Sequence, residues 1–416
     1  MTASTLSFAF VFFIVLSTAI RLWLNIRQVA HVQAHRAAVP AEFAASIELT
    51  AHQKAADYTV AKSRYGRIDL ALGLIWLLLL TFGGGLQLLH EQLARVLDPS
   101  SLWHGIALFG ALSVLGFVWE LPGSLYYTFV LEEKFGFNKT TLATFITDIL
   151  KSSLISTLIG APLLWLVLWL MRSMGGNWWL WTWGVLIAFN LAAMVIYPIF
   201  IAPLFNKFEP LKDEALATRI NALLTRCGFK SKGLFVMDGS KRSAHGNAYF
   251  TGFGAAKRIV FFDTLLATLS PEEVEAVLAH ELGHFKHRHI WQRVALFAVL
   301  SLALFAVLGW LSQQAAFYNG LGVQTQSEAL ALILFSLILG PVTFPLTPLM
   351  SFWSRKHEFE ADAYAVANAQ ASDLVSALAK LYRDNASTLT PDPLHSLFYD
   401  SHPPAAIRIS HLQRIV

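Results

Sequence analysis

Seven runs of apolar residues, each long enough to cross a bilayer as a helix, set the frame within which this chain must fold. A hydrocarbon core needs about 20 apolar residues in helical form. The stretches at roughly 5–25, 68–90, 103–130, 150–172, 178–203, 290–312 and 328–352 meet that length. The expected fold class is therefore mainly α, a seven-helix, multi-pass integral membrane protein in contact with the lipid bilayer. Composition agrees: charged residues make up 14% of the chain, against about 25% in soluble domains. The first run lacks both a basic leader and a small-x-small cleavage site before Arg21, so it reads as a retained helix. The net charge of +4 comes without a basic run and gives no reason to expect a nucleic-acid partner. The single cysteine, Cys227, rules out an intramolecular disulfide framework and a cysteine-rich zinc knuckle. With no histidine near it in sequence, it reads as a bystander thiol.

Charge between the runs sets an orientation. The stretch after the first run carries Arg27, Arg36, Lys54, Lys62, Arg64 and Arg67, whereas the loop near 90–102 has Arg95 as its only cation and 312–327 has no charge. Positive loops face the cytoplasm, so the amino terminus is expected outside and the carboxyl terminus inside. Domains 1–203 and 290–352 are then the membrane helices. The polar segments 204–289 and 353–416, roughly 150 residues together, suffice for an α+β domain on the cytoplasmic face. The first polar segment should hold a helix near Asp213–Cys227, an alternating stretch at Gly233–Met237, and a hairpin turning through Gly254-Ala255-Ala256-Lys257. A further helix should start at Ser270-Pro271-Glu272-Glu273, where Ser caps, Pro takes the first position and acids meet the positive dipole end.

That last helix carries His280-Glu281-Leu282-Gly283-His284. Residues four apart on a helix lie about 40° from one another around the axis, so both imidazoles can grip one zinc ion. Glu281 stands at the edge of the same face, where it can polarise water and carry its proton to a leaving amine. Catalytic zinc needs a third protein ligand and an open position. An extended histidine motif is excluded, because it would need Gly at 287 and His at 290, where this chain has His287 and Ile290. No acid occurs between Glu281 and Glu328, and Glu328 belongs to the outer loop. The next carboxylates are Glu358, Glu360 and Asp362, back on the cytoplasmic side. Glu358 and Glu360 project about 200° apart on a helix, so one alone can face the zinc. Glu358 shares its face with Asp362, which leaves Glu360 to solvent or another packing surface, where replacement should matter little. Interfacial solvation accounts for His287 and His289. His31, His35 and His52 read as surface residues, and His357 points about 100° from Glu358.

The motif, together with Arg355-Lys356-His357-Glu358-Phe359-Glu360-Ala361-Asp362 and Ser401-His402-Pro403-Pro404, resembles the M48 peptidases, in particular the CAAX prenyl protease 1 (Ste24) type. Ser240-Lys241-Arg242-Ser243, Asn247-Ala248-Tyr249-Phe250 and Glu132-Glu133-Lys134-Phe135-Gly136-Phe137-Asn138 resemble segments of the same branch. The resemblance implies seven helices around a water-filled chamber and a gluzincin-like protease domain facing it. It also implies one Zn2+ per chain on His280, His284 and Glu358, with Glu281 as general base and acid. Asn247 would align the substrate backbone, His402 would stabilise the tetrahedral intermediate, and Asp362 would orient a zinc histidine. A salt bridge from Asp362 to Arg355, and a mere turn at His402, are the plainer readings of those two residues. The short loop between the last two runs looks prokaryotic, which points to a bacterial inner membrane. The expected partner is a peptide or protein substrate, prenylated or membrane-embedded, in CAAX-type processing or membrane-protein quality control. The rivals are a non-catalytic zinc scaffold and a seven-span transporter or receptor, for which Glu120 and Asp148 are the candidate mid-span charges. An intramembrane protease would need this motif inside a span, and the run Pro271–Glu275 is too polar for that.

Overall fold

The computed structural model describes residues 2–251 and 258–415. Helices Ala3–Ala34, Leu102–Phe135, Leu142–Ser173, Gly175–Phe205, His289–Leu311 and Glu328–Asn368 are long and apolar enough to cross a membrane. A seventh crossing arises if Leu49–Leu80 and Gly85–Ala94 count as one span, bent by 51°. The bend falls at Gly84, whose φ of 72° is left-handed backbone that glycine adopts without strain. The basic stretch between the first two runs is not the loop expected from the sequence. The first helix continues to Ala34 and the next begins at Leu49, so 35–48 alone connect them. Apolar length marks where lipid contact ends, while Arg, Lys, Gln and Ala carry a helix onward.

The broadest buried cluster among these helices lies at one end, with smaller ones around Val32, Val60, Tyr58 and Leu131. Phe10, Leu86, Leu108, Leu168, Trp178, Leu308 and Leu334 all lie in one buried cluster, which Phe317, Tyr318 and Val323 of the 312–327 connection complete. Elsewhere the helices pack thinly: within their apolar windows the buried share runs from 6% to 33%.

At the opposite end stands a four-stranded sheet, β1 Phe208–Pro210, β2 Leu234–Met237, β3 Ala248–Thr251 and β4 Arg258–Phe262, in the order β1-β2-β4-β3. β2 and β4 are parallel, the outer pairs antiparallel, and Ala248 stands opposite Phe261. The expected turn through Gly254-Ala255-Ala256-Lys257 lies outside the described residues. Helix Glu214–Arg226 is capped by the Asp213 side chain, which accepts from the Leu216 N–H. One core joins Ile220, Leu223, Phe261, Val274, Leu278 and Leu282 to Ala365, Leu374 and Leu412, residues that flank the last two apolar helices in sequence.

Helix Pro271–Lys286 opens with a full capping box between Ser270 and Glu273. Glu273 also accepts from Ser376 Oγ at 2.6 Å and Lys380 Nζ at 2.8 Å, which fixes helix Ala371–Asp384 beside it. Against its other side packs Thr347–Asn368, joined to the apolar helix Glu328–Thr343 by one 3-10 turn, Phe344–Leu346. The sheet region is tied to the membrane helices through Arg242, whose guanidinium spans Asp148 at 2.7 and 2.9 Å. Asp148, a candidate mid-span charge from the sequence, thus stands in the second turn of its helix with a bidentate partner. His52 is buried rather than on the surface, with Nε2 2.9 Å from the His35 carbonyl.

Gly283 governs the contact between the two site helices. A Cβ there would lie 2.8 Å from Ala361 Cα, so they meet backbone to backbone. Gly283→Ala should force them apart and cost about 1–3 kcal/mol, the usual penalty for overpacking a tight contact. Thermal melting of the detergent-solubilised variant checks this, and an unchanged midpoint would mean that the helices shift freely.

Candidate metal centre

The helical spacing of His280 and His284 carries both rings to the helix face that meets Thr347–Asn368. Glu358, on that second helix and 1% exposed, faces them. Its Oε2 lies 3.4 Å from His280 Nε2 and its Oε1 lies 3.4 Å from His284 Nε2. One ligand atom from each of the three residues falls within 4.8 Å of the others. The set fits zinc on three counts. Two imidazoles and a carboxylate are a zinc donor set. Zinc bonds of about 2.0–2.2 Å give a tetrahedron with edges of about 3.3–3.6 Å, close to the 3.4 Å separations here. Glu358 Oε2 is buried without a hydrogen-bond partner, a costly state for a carboxylate oxygen unless a cation meets it.

Around this set stand the other residues singled out in the sequence. His280 Nδ1 lies 2.8 Å from Asp362 Oδ1. Asp362 is fully buried, and its pairing partner is Arg408 rather than Arg355. Arg355 instead donates to the carbonyls of Ser351, Ser396 and Leu397. Arg408 Nε is 2.9 Å from Asp362 Oδ2, and its Nη1 approaches Glu358 Oε2 at 3.9 Å. Sequence reasoning missed Arg408: an arginine in the short helix Ala405–Arg414, outside any motif, gives no signal. His402 Nε2 lies 3.4 Å from Glu358 Oε1, while its Nδ1 meets Ser401 Oγ at 3.0 Å. Asn247 directly precedes edge strand β3, and its Oδ1 accepts from the Ala248 N–H. Asn247, His280, Glu281, His402 and Arg408 line one pocket of about 270 Å³.

One expectation is corrected. His289 is not at a solvated interface: it is 1% exposed, with Nδ1 2.9 Å from His284 Nδ1. Glu360 stands outside the donor set, and the packing surface it meets is His289, with Oε2 2.9 Å from Nε2. His287 is exposed, as interfacial solvation predicts.

Electrostatics separates the two site histidines in the zinc-free protein. Burial pulls the His280 imidazole down, but the Asp362 and Glu358 carboxylates beside its two ring nitrogens outweigh it and hold the group up at about 9. Burial and the nearby His280 push His284 down to about 3. Burial raises the Glu281 carboxyl, against the opposing influence of His280.

Comparison with known proteins supplies the context. Residues 28–207 match the CAAX prenyl protease N-terminal family, described as five membrane helices, and residues 210–416 match peptidase family M48. The chain is 39% identical to a CAAX prenyl protease 1 homolog of Oryza sativa subsp. japonica, over 76% of this chain and 74% of that protein. It is 38% identical to the CAAX prenyl protease 1 of Saccharomyces cerevisiae, over 76% of this chain and 73% of the relative. The crystal structure of S. mikatae Ste24p superposes with a TM-score of 0.92 at 32% identity, covering 98% of this chain and 99% of the other.

A proton held on His280 up to about pH 9 must leave before Nε2 can bind metal. Zinc affinity of the metal-free protein should therefore rise by up to about tenfold per pH unit between pH 6 and 8, with one proton released per ion. Chelator competition at a series of pH values measures it; a flat profile would contradict the His280 assignment.

Proposed function

The chain belongs to peptidase family M48, among the CAAX prenyl protease 1 proteins, and on that premise we propose how this membrane zinc metalloprotease works. It hydrolyses peptide bonds near the cytoplasmic membrane face, with one zinc ion held by His280, His284 and Glu358. The observation that carries this reading is the Glu358 carboxylate beside Glu281, each of whose oxygens faces one imidazole nitrogen while Oε2 makes no hydrogen bond. Zinc, when bound, supplies Lewis acidity toward a water molecule and the scissile carbonyl. Glu281 takes a proton from the attacking water and delivers it to the departing amine, so it ends the cycle as it began. Burial raises its carboxyl toward working pH, which suits a group that must both accept and give a proton.

The remaining residues hold the substrate and the developing charge. An extended peptide adds by main-chain hydrogen bonds to β3, an edge strand of the sheet among the described residues. With its oxygen engaged by Ala248, Asn247 keeps its amide N–H groups for the substrate backbone. His402 Nε2, aimed into the site, donates to the oxyanion. Asp362 accepts from His280 Nδ1 and fixes which nitrogen faces the metal.

The membrane part is read as seven spans, with the bent pair counted once, enclosing a chamber shut at the 312–327 end. The broad buried cluster that joins six of the membrane helices at that end supports the closure. From His402 a cavity of about 650 Å³ extends to Arg21, Lys62 and Arg67 of the first two helices, which gives a peptide room to approach. Substrates are C-terminal CAAX-type tails, which the relatives' names indicate, or damaged membrane proteins. The named relatives are eukaryotic; placement in a bacterial inner membrane rests on the short 312–327 connection. A transporter reading loses Asp148, which is already paired to Arg242.

Glu281→Gln should keep both imidazoles and the zinc yet lower turnover of a peptide substrate by about 10²- to 10⁴-fold. Zinc-loaded variant cleaving at half the wild-type rate would remove Glu281 as the base. For orientation, Gln326→Cys and Gln413→Cys in a Cys227→Ser background should label from opposite sides of sealed membranes. Labelling from the same side would overturn the span count.

A further inference from the structure

Three side chains beside the metal centre have no part in the mechanism above: His289, His357 and Glu360. Each offers a ligand atom within 4.8 Å of the others, which suggests a second ion. Ring geometry argues against it. The His289 and His357 rings stack with centroids 3.9 Å apart and planes 7° apart. An imidazole lone pair lies in the plane of its ring, and nearly parallel planes give one ion no place to meet both. The nitrogens of His289 are also already committed, one to His284 and one to Glu360.

Those commitments fix a direction. On the metal-centre reading, His284 Nε2, which faces Glu358, is the ligand nitrogen, so its ring proton must sit on Nδ1. That proton points at His289 Nδ1, 2.9 Å away, which must then present a lone pair. His289 accordingly carries its own proton on Nε2 and donates it to Glu360 Oε2, 2.9 Å distant. Both rings are held in one tautomer, and the series ends on a carboxylate.

The fold holds His289 in this place at some expense. Arg288 takes a left-handed backbone, φ 57°, between helices Pro271–Lys286 and His289–Leu311, a conformation that favours glycine. The reversal brings the first side chain of the second helix back against the last turn of the first. His357 covers the His289 ring and is itself held through Nε2 by Gln292 Oε1 at 3.1 Å. Trp353 packs edge-on against His357.

The geometry points to His289 as a positioning residue for the zinc ligand His284, with Glu360 as the terminal acceptor. The inference rests on the metal-centre reading. His280 leans on Asp362 directly, whereas His284 leans on Glu360 through an interposed imidazole. The two acids differ in setting: Asp362 is fully buried beside Arg408, and the Glu360 side chain is 34% exposed.

Zinc release to a colorimetric chelator, measured on the full-length protein in detergent, tests it, with the melting midpoint of each zinc-free variant as a fold control. Partners that orient a metal-bound histidine are typically worth 10- to 100-fold in affinity. His289→Phe and Glu360→Ala should each speed zinc release by about that factor without moving the zinc-free midpoint. Glu360→Gln keeps an acceptor oxygen and should recover most of the loss. The double variant His289→Phe/Glu360→Ala should release zinc no faster than His289→Phe alone, because the two act in series. Wild-type release from Glu360→Ala, in a protein whose Glu358→Ala variant has lost its zinc, overturns this inference alone. Zinc retained by Glu358→Ala overturns the metal-centre reading beneath it. Two zinc ions per chain, the second lost in His357→Ala, would also overturn the inference and make the trio a metal site.

Discussion

Everything at the metal centre hangs on the close approach of two helices at Gly283 and Ala361. The 2.8 Å that a Cβ at 283 would leave to Ala361 Cα admits hydrogen and nothing larger. Gly283 sits between Leu282 and His284 in the motif, and Ala361 between Glu360 and Asp362 on the facing helix. The contact point therefore sets how far the imidazoles on one helix stand from the carboxylates on the other. A donor set with 3.4 Å edges needs that distance fixed to within a few tenths of an ångström, which side-chain packing between larger residues would not define so tightly.

With the helices this close, charge has to be balanced inside the contact. Asp362 and Arg408 balance each other, both out of water. Glu358 Oε2 makes no hydrogen bond, with His280 Nε2 at 3.4 Å and Arg408 Nη1 at 3.9 Å. A buried carboxylate oxygen without a hydrogen bond marks a place where function outweighs stability. A cation resolves it, which is the physical sense in which the site is built for a metal.

The same economy links the centre to the membrane. Helix Thr347–Asn368 continues the apolar helix Glu328–Thr343 across a single 3-10 turn, and the motif helix reaches the apolar helix His289–Leu311 through His287 and Arg288. Both partners of the metal centre are thus anchored on apolar helices rather than on loops. The Arg242–Asp148 pair and the bridge between Asn138 and Ser243 add a third attachment on the sheet side. A centre held on three sides has little freedom to move relative to the apolar helices.

What the sequence determined by itself is what neighbours within a turn of helix or a bilayer thickness encode. The apolar runs have bilayer length, the spacing of His280 and His284 places two rings on one helix face, and Ser270-Pro271-Glu272-Glu273 announces a helix start. Chain reversal also brought Glu358 into consideration, since two spans return the chain to the same side. Bilayer length did not show where helices end, which is why 26–67 read as a loop. Only the tertiary structure decided what lies across the contact. Arg408 reaches His280 over 128 residues and Asp362 over 46. Glu360, which helix geometry left to solvent or another packing surface, and His289, which the membrane boundary left to interfacial solvent, meet where a left-handed Arg288 turns one helix back on another. Such pairings depend on how elements pack, and no local pattern carries that information.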